Sequence, residues 1–234
     1  MSKQVLIVGG TSGIGRELAA AYARRGASVV IAGRDGIRAE TVAAELNTEA
    51  DTAHVRGIAV DLSKPEVLKE ALSGIDQVDS VVLTGIQRDT NTIAGYDIAR
   101  ATELALVKIV GYTATVHALQ SRIAPHGSVL LFGGLAKDVP YPGSTTVSTV
   151  NAAMTGLVAT LSKELAPVRV NAIHPGMVGD SPYWAGNERV VEAARTRILT
   201  GVVPTMRDIV EGCLFLLENP AANGVNLDLN GGYA

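Results

Sequence analysis

The feature that most constrains this chain is a glycine-rich loop between its first strand-like run and its first helical pattern. Residues 5–8 form a short apolar run, and the spacing G-x-x-x-G-x-G follows at Gly9, Gly13 and Gly15. Glycines in such a loop permit a tight turn and let backbone amides approach a pyrophosphate at a helix N-terminus. Because the loop directly follows a predicted buried strand, the pattern favours a dinucleotide site over a purely structural turn.

The rest of the sequence alternates between β-branched runs and segments with apolar residues at helical spacing. This alternation predicts an α/β fold, a doubly wound, mainly parallel sheet of seven strands with helices on both faces. The predicted strands are residues 5–8, 28–32, 55–60, 80–83, 128–132, 168–173 and 225–229. The predicted helices are residues 14–25, 37–48, 65–73, 95–122, 144–165, 188–199 and 207–218.

Composition predicts a compact globular protein that does not bind nucleic acid. Apolar residues make up 47% and charged residues 18% of the 234 positions, and the net charge is −3. Because Lys and Arg are scattered, the sequence offers no basic footprint for nucleic acid or an anionic membrane. The single cysteine, Cys213, lies in an apolar helical segment and is expected to be a buried thiol in a reducing compartment. No metal site is predicted.

The sequence predicts a cytoplasmic location and a single domain. The first apolar run is too short for a signal peptide, and no run approaches ~18 consecutive apolar residues, so no membrane span is predicted. A cytoplasmic location is the resulting expectation. The sequence has no linker, internal repeat or low-complexity tract, which predicts a single domain over residues 1–234.

The ends of the second and third strands carry residues that could choose the cofactor. An acid at the end of the second strand would accept hydrogen bonds from an adenosine ribose, but this chain has Gly33 followed by Arg34. A cation there favours a 2′-phosphate and hence NADP(H), unless Arg34 is a solvated charge beside Asp35. Asp61 is placed to meet the adenine amino group, although an Asp after a strand is also a common helix cap.

These residues and the remaining motifs resemble the short-chain dehydrogenase/reductase family over essentially the full length. Gly9, Gly13 and Gly15 match its nucleotide motif, Asp61-Leu62 its adenine-side acid, and residues 170–176 its Val-Asn-…-Pro-Gly signature. The resemblance implies one Rossmann-like domain that transfers hydride between a nicotinamide and a carbonyl or alcohol. It implies cofactor contacts at Gly9, Thr11, Ser12, Gly13, Ile14, Gly15, Arg34, Asp61, Leu62, Thr84, Gly85, Pro175, Gly176 and Val178.

The chain departs from this family where the resemblance places the catalytic residues. Counting along the motifs puts Gly134 at the family's serine, Val147 at its tyrosine, Asn151 at its lysine and Lys108 at its asparagine. Lysine and asparagine are therefore exchanged between two helices. Since the tyrosine usually donates the proton and valine cannot, ordinary alcohol oxidation is not expected.

Lys108 stands alone as a charge in an otherwise apolar stretch of the long helix, residues 104–110. A buried lysine needs a cleft, a water or a polar partner, and Asn151 is the partner that the exchange suggests. Alternatively, Lys108 extends its amine to an oligomer interface. We name Lys108 and Asn151 as candidate catalytic residues.

Two functions remain open from the sequence. One is an atypical NADP(H)-dependent oxidoreductase acting on a small carbonyl or activated double-bond substrate, with Lys108 or water as the proton source. The other is a protein that binds the dinucleotide without redox catalysis. The apolar helices at residues 95–122 and 144–165 and the family resemblance together predict a homodimer or homotetramer.

Overall fold

Seven strands alternate with helices in the computed structural model, which describes residues 2–50, 54–87 and 89–233. The strands are β1 (Gln4–Val8), β2 (Ser28–Gly33), β3 (His54–Ala59), β4 (Val78–Leu83), β5 (Ile123–Phe132), β6 (Arg169–Pro175) and β7 (Asn226–Leu229). The helices are α1 (Gly13–Ala23), α2 (Gly36–Glu49), α3 (Leu68–Ala71), α4 (Ile98–Ala105), α5 (Tyr112–Leu119), α6 (Thr145–Glu164), α7 (Glu188–Arg195) and α8 (Met206–Glu218).

All seven strands form one parallel sheet in the order β3-β2-β1-β4-β5-β6-β7. This confirms the predicted α/β, Rossmann-like fold. The strand order reverses between β1 and β4, because the chain builds outward from β1 in one direction and then from β4 in the other. In open α/β sheets the crevice at such a reversal, beyond the carboxyl ends of the strands, is where ligands bind.

Successive strand residues alternate between two cores, one on each face of the sheet. Val5 and Ile7 face a core built with α1, α2 and α8, whereas Leu6 and Val8 face a core built with α3, α5 and α6. Burial on both faces explains why strands such as β1 and β2 are continuous apolar runs rather than alternating ones. Among the helices of the described residues, none has the length and apolar content that a membrane crossing requires.

Three predicted elements show the most informative differences from the structure. β5 begins at Ile123 rather than at residue 128, because a register shift against β4 accommodates Pro125 within the strand. The predicted helix at residues 65–73 is a 3₁₀ turn, Pro65–Val67, followed by the single turn of α3. The long helix begins at Ile98, where the Asp97 side chain accepts a hydrogen bond from the Arg100 amide.

The same long helix contains a π-helical segment, Leu106–Gly111, which joins α4 to α5. π-helical turns are rare and are frequently found at functional sites. Lys108 lies within this segment, so the local geometry that aims its side chain differs from that of a regular α-helix.

Candidate functional site

The glycine loop between β1 and α1 has the backbone conformation that its sequence predicts. Gly9 and Gly13 have φ of 94° and 53°, which favour glycine, and a Cβ at Gly15 would overlap the carbonyl oxygen of Gly9. Ser12 immediately precedes α1, and within the described residues its side chain makes no capping hydrogen bond. The first amides of α1 are thus left for a ligand, and the positive end of the helix favours an anion there.

The loop after β4 braces this glycine loop from the neighbouring strand. The Thr84 hydroxyl donates a hydrogen bond to the Gly9 carbonyl at 3.2 Å, and the Thr84 amide donates to the Val8 carbonyl at 2.9 Å. A Cβ on Gly9 would overlap the Thr84 hydroxyl oxygen. Thr84 and Gly85, both predicted cofactor residues, therefore lie beside the glycine loop at the reversal of strand order.

The adenine-side candidates lie at the ends of β2 and β3. Arg34 is exposed, and its Nη1 donates to the Gln87 side chain at 3.1 Å. Burial alone raises the pKa of Asp61, but hydrogen bonds from the Ser63 hydroxyl and amide outweigh it and lower the pKa below its ordinary value. Asp61 therefore shapes the turn after β3 and also presents a carboxylate. Leu62 is buried.

A cleft of about 400 Å³ opens in front of the glycine loop. Thr11, Ser12 and Gly13 form one side, and Ile14 beside them is half-buried against the core. Arg38 of α2 also lines the cleft. Sequence reasoning missed Arg38, although its place in the first turn of the helix that follows β2 was a usable signal.

The segment after β6 closes the other side of this cleft. Pro175 ends β6, and Val178 is buried. The Gly176 amide donates a hydrogen bond to the Leu229 carbonyl. Pro182 and Met206 complete the cleft wall opposite the glycine loop. Asp180 fixes this segment, because its carboxylate accepts the Met206 amide at the start of α8 at 2.7 Å.

Lys108 is enclosed by protein, with 1% of its surface exposed. Its Nζ donates to the carbonyl of Phe132 at the end of β5, and it lies 3.4 Å from the Tyr112 hydroxyl and 5.0 Å from the ring centre. Tyr112 in turn donates to the Gly85 carbonyl at 2.9 Å. Burial raises the pKa of Tyr112, which keeps its phenol protonated as a donor.

These contacts connect Lys108 to the carboxyl end of β5 and to the loop after β4. Its cation lies beneath the carboxyl end of β5, and Tyr112 links it to the loop after β4. Sequence reasoning named Asn151 as the polar partner and missed Phe132 and Tyr112. Tyr112 lies four residues after Lys108, one helical turn away, but in an apolar segment it was indistinguishable from a core aromatic. An amine this enclosed does not reach the monomer surface.

Gly134 and Asn151 are packed against each other across the loop after β5. The φ of Gly134 is 171°, an extended conformation that any residue adopts, so the backbone does not require glycine. A Cβ on Gly134 would lie 2.8 Å from Nδ2 of Asn151. Asn151 is 3% exposed, and its Oδ1 is buried with no hydrogen-bond partner among the described residues. Val147, one helical turn earlier on α6, is also buried.

His174 supports the same loop from beneath. Its Nδ1 accepts the Gly134 amide at 3.3 Å, so the ring proton lies on Nε2, which donates to the Asn226 side chain at 3.0 Å. Burial lowers the pKa of His174, which keeps the ring neutral and preserves this arrangement. A Cβ on Gly133 would overlap the ring. His174 therefore positions the backbone of the loop.

Comparisons with known proteins find the same family over most of the chain. The family described as short chain dehydrogenase matches residues 3–189. The chain is 29% identical over 242 residues to the 3-oxoacyl-[acyl-carrier-protein] reductase FabG of Aquifex aeolicus, covering 98% of this chain and 96% of that protein. It is 27% identical over 252 residues to the short-chain dehydrogenase/reductase ucsE of an Acremonium species, covering 98% of this chain and 94% of that protein.

A solved structure shares the architecture. The structure of MalC reductase/Diels-Alderase from Malbranchea aurantiaca superposes with a TM-score of 0.91 at 25% sequence identity. The match covers 99% of this chain and 96% of that one. The complete strand order and the helices that flank it are therefore common to both proteins.

Proposed function

Because the chain belongs to the short chain dehydrogenase family, we propose that it is an NADP(H)-dependent oxidoreductase with a remodelled active site. Its relatives are named as reductases and dehydrogenases, which supports redox catalysis over a purely binding role. The proposed substrates are small carbonyl compounds or activated double bonds. Lys108 and Asn151 are proposed to act in place of the family's Tyr-x-x-x-Lys pair.

The glycine loop and its cleft fit a dinucleotide. The uncapped first turn of α1 and the glycine loop would hold the pyrophosphate, with Thr84 bracing the loop. Arg38 lines this cleft, and the exposed Arg34 directly follows β2; a 2′-phosphate within reach of these two cations would be favoured over a ribose hydroxyl. When bound, the nicotinamide supplies the hydride.

The packing of Asn151 against Gly134 is the observation that carries the proposed remodelling. The family's serine at position 134 would place its Cβ 2.8 Å from the Asn151 amide nitrogen, which is shorter than ordinary packing allows. Glycine at 134 and asparagine at 151 are therefore mutually adapted.

Lys108 supplies the positive charge that the exchanged lysine would otherwise bring. Its ammonium is fixed by the Phe132 carbonyl and the Tyr112 hydroxyl and is shielded from water, so its field is little screened. A preorganised cation of this kind stabilises negative charge that develops on a substrate oxygen. The proton then comes from Lys108 or from water, since Val147 can donate none.

Purified protein with NADPH and a panel of small aldehydes, ketones and enones tests this proposal. We expect NADPH oxidation with at least one member and no useful oxidation of simple secondary alcohols with NADP⁺, because general acid–base catalysis contributes about 10²–10⁴-fold and its usual residue is absent. Rapid alcohol oxidation would contradict the assignment of the site. Tight NADPH binding without any turnover would favour the non-catalytic alternative.

We also propose that the chain assembles as a homodimer or homotetramer. Ile98, Ile109 and Val110 of the long helix are 73%, 38% and 45% exposed, an apolar surface that association would cover. A closed oligomer is the common arrangement for such a surface. Light scattering at micromolar concentration should report a mass two or four times that of the chain, and a monomeric mass would contradict it.

A further inference from the structure

Asp89 is a buried carboxylate that the proposed reaction does not use. It lies in the loop between β4 and α4 and is 6% exposed. Its Oδ2 accepts a hydrogen bond from Nδ2 of Asn91 at 2.7 Å. Its Oδ1 is buried and, among the described residues, has no hydrogen-bond partner.

The loop that carries Asp89 is attached to the beginning of α6. The Asn91 amide donates to the Gly143 carbonyl at 2.8 Å, and the Thr145 amide donates to the Asn91 carbonyl at 3.2 Å. The Asn91 side chain also donates to the Thr146 hydroxyl at 3.3 Å. Thr146 directly precedes Val147, so the Asp89 carboxylate is connected through one side chain to the α6 turn that borders the remodelled site.

The charge of Asp89 lacks compensation within the described part of the chain. None of the ion pairs found there includes Asp89, and the groups linked to it, the Asn91 amide and the Thr146 and Tyr96 hydroxyls, are neutral. A buried carboxylate is costly unless it is paired and fully hydrogen-bonded. A carboxylate kept only to hold the loop would be expected to use both oxygens.

We propose that Asp89 binds the ammonium group of the substrate, so that the preferred substrates are small amino ketones or amino aldehydes. This inference rests on the proposed function, which assigns the part of α6 that carries Val147 and Asn151 to the active site. A carboxylate accepts hydrogen bonds but donates none, and an ammonium ion offers both the donors and the positive charge that Asp89 lacks. Tyr96, whose hydroxyl lies 3.5 Å from the Thr146 hydroxyl and which is 43% exposed, is the most exposed side chain of this cluster.

A pair of ligands that differ only at the proposed contact tests this assignment. 4-Aminobutan-2-one carries an ammonium where pentan-2-one carries a methyl group. Titrations monitored by NMR, with the full chain in the presence and absence of NADP⁺, give the dissociation constant of each ligand without turnover. We expect the amino ketone to bind about tenfold or more tightly than the plain ketone, as a charge-assisted hydrogen bond predicts.

Substitutions then show whether Asp89 causes the difference in affinity between the two ketones. Asp89→Asn keeps an acceptor for Asn91 but removes the charge, and it should bring the two dissociation constants to within about twofold. Asp97→Asn is the matched control, because Asp97 lies in the same loop, is exposed and caps α4, a role that asparagine also fills. Asp89→Ser provides a second variant if Asp89→Asn does not fold.

Equal affinity of the two ligands for the unaltered protein would overturn the proposal, as would an ammonium preference that survives both Asp89 substitutions. Neither result depends on hydride transfer. A protein that prefers the amino ketone yet consumes no NADPH would retain the Asp89 site and contradict only the proposed function.

Discussion

The glycine loop and the Gly134–Asn151 contact both depend on glycine, but for different physical reasons. At Gly9 and Gly13 the backbone itself has positive φ, which side chains rarely adopt. At Gly134 the backbone is extended, and the space for a side chain is taken by the Asn151 amide. The first requirement is local, whereas the second comes from a residue on another element.

This difference separates what is common to nucleotide-binding folds from what is particular to this chain. A backbone requirement persists for any sequence that places a phosphate at this helix N-terminus. A requirement set by one side chain changes as soon as that side chain changes. The effects of substitutions in the two regions should therefore differ in size, and only those in the second region should be reversible by a second substitution.

The largest effect is expected for Gly15→Ala. Its Cβ would overlap the Gly9 carbonyl, and neither backbone segment can yield without displacing the loop. We expect a loss of about 3 kcal/mol in the free energy of unfolding and no measurable NADPH binding. Urea unfolding and calorimetry measure the two quantities. Gly74→Ala, where a Cβ meets nothing within 4 Å, is the matched control and should change neither.

Arg34→Ala should act on the nucleotide region without disturbing its backbone. A charge-assisted contact to the 2′-phosphate is worth about 1.5–3 kcal/mol, so calorimetry should show weaker NADPH binding and unchanged NADH binding. The unfolding free energy should stay within about 0.5 kcal/mol, because Arg34 is exposed. Equal affinities of the unaltered protein for NADPH and NADH would rule out the proposed cofactor preference.

Gly134→Ser should have the smallest main effect of the three substitutions, a loss of stability, and it is the one that a second substitution can reverse. The new Cβ presses on a side chain rather than on backbone, so we expect a loss of about 1–2 kcal/mol in stability. Adding Asn151→Ala should recover part of that loss, which a double-mutant cycle by urea unfolding would detect. Gly156→Ser, where a Cβ meets nothing within 4 Å, serves as the control. Additive effects of the two substitutions would show that the pair is not adapted.

The fold could be predicted from the sequence because the spacing of apolar residues reflects which side chains are buried. Apolar runs marked the position of every strand, and the larger differences were confined to the start of β5, the region around α3 and the ends of some strands and helices. The predicted strand began at residue 128, whereas a register shift against β4 extends β5 back to Ile123 across Pro125. Such local irregularities depend on the neighbouring strand, which a single sequence does not reveal.

The site was only partly predictable, because its key contacts join distant elements. The glycine loop and the loop after β4 lie side by side in the structure, because parallel strands end at the same edge of a sheet. The acceptor of Lys108 is a backbone carbonyl, that of Phe132, and no residue type marks it in the sequence. Asp89 and Asn91 lie in an irregular loop without periodicity, so their burial became evident only from the structure.

The role of Lys108 is tested most directly by Lys108→Met in the full chain. Methionine has a similar volume, and removing a buried charge offsets the loss of the hydrogen bond to Phe132, so folding and NADPH binding should be nearly unchanged. Turnover of the substrate found by the carbonyl panel should be abolished, while Lys163→Met, at an exposed position on α6, should retain it. Full activity of Lys108→Met with NADPH binding intact would contradict a working role for this cation.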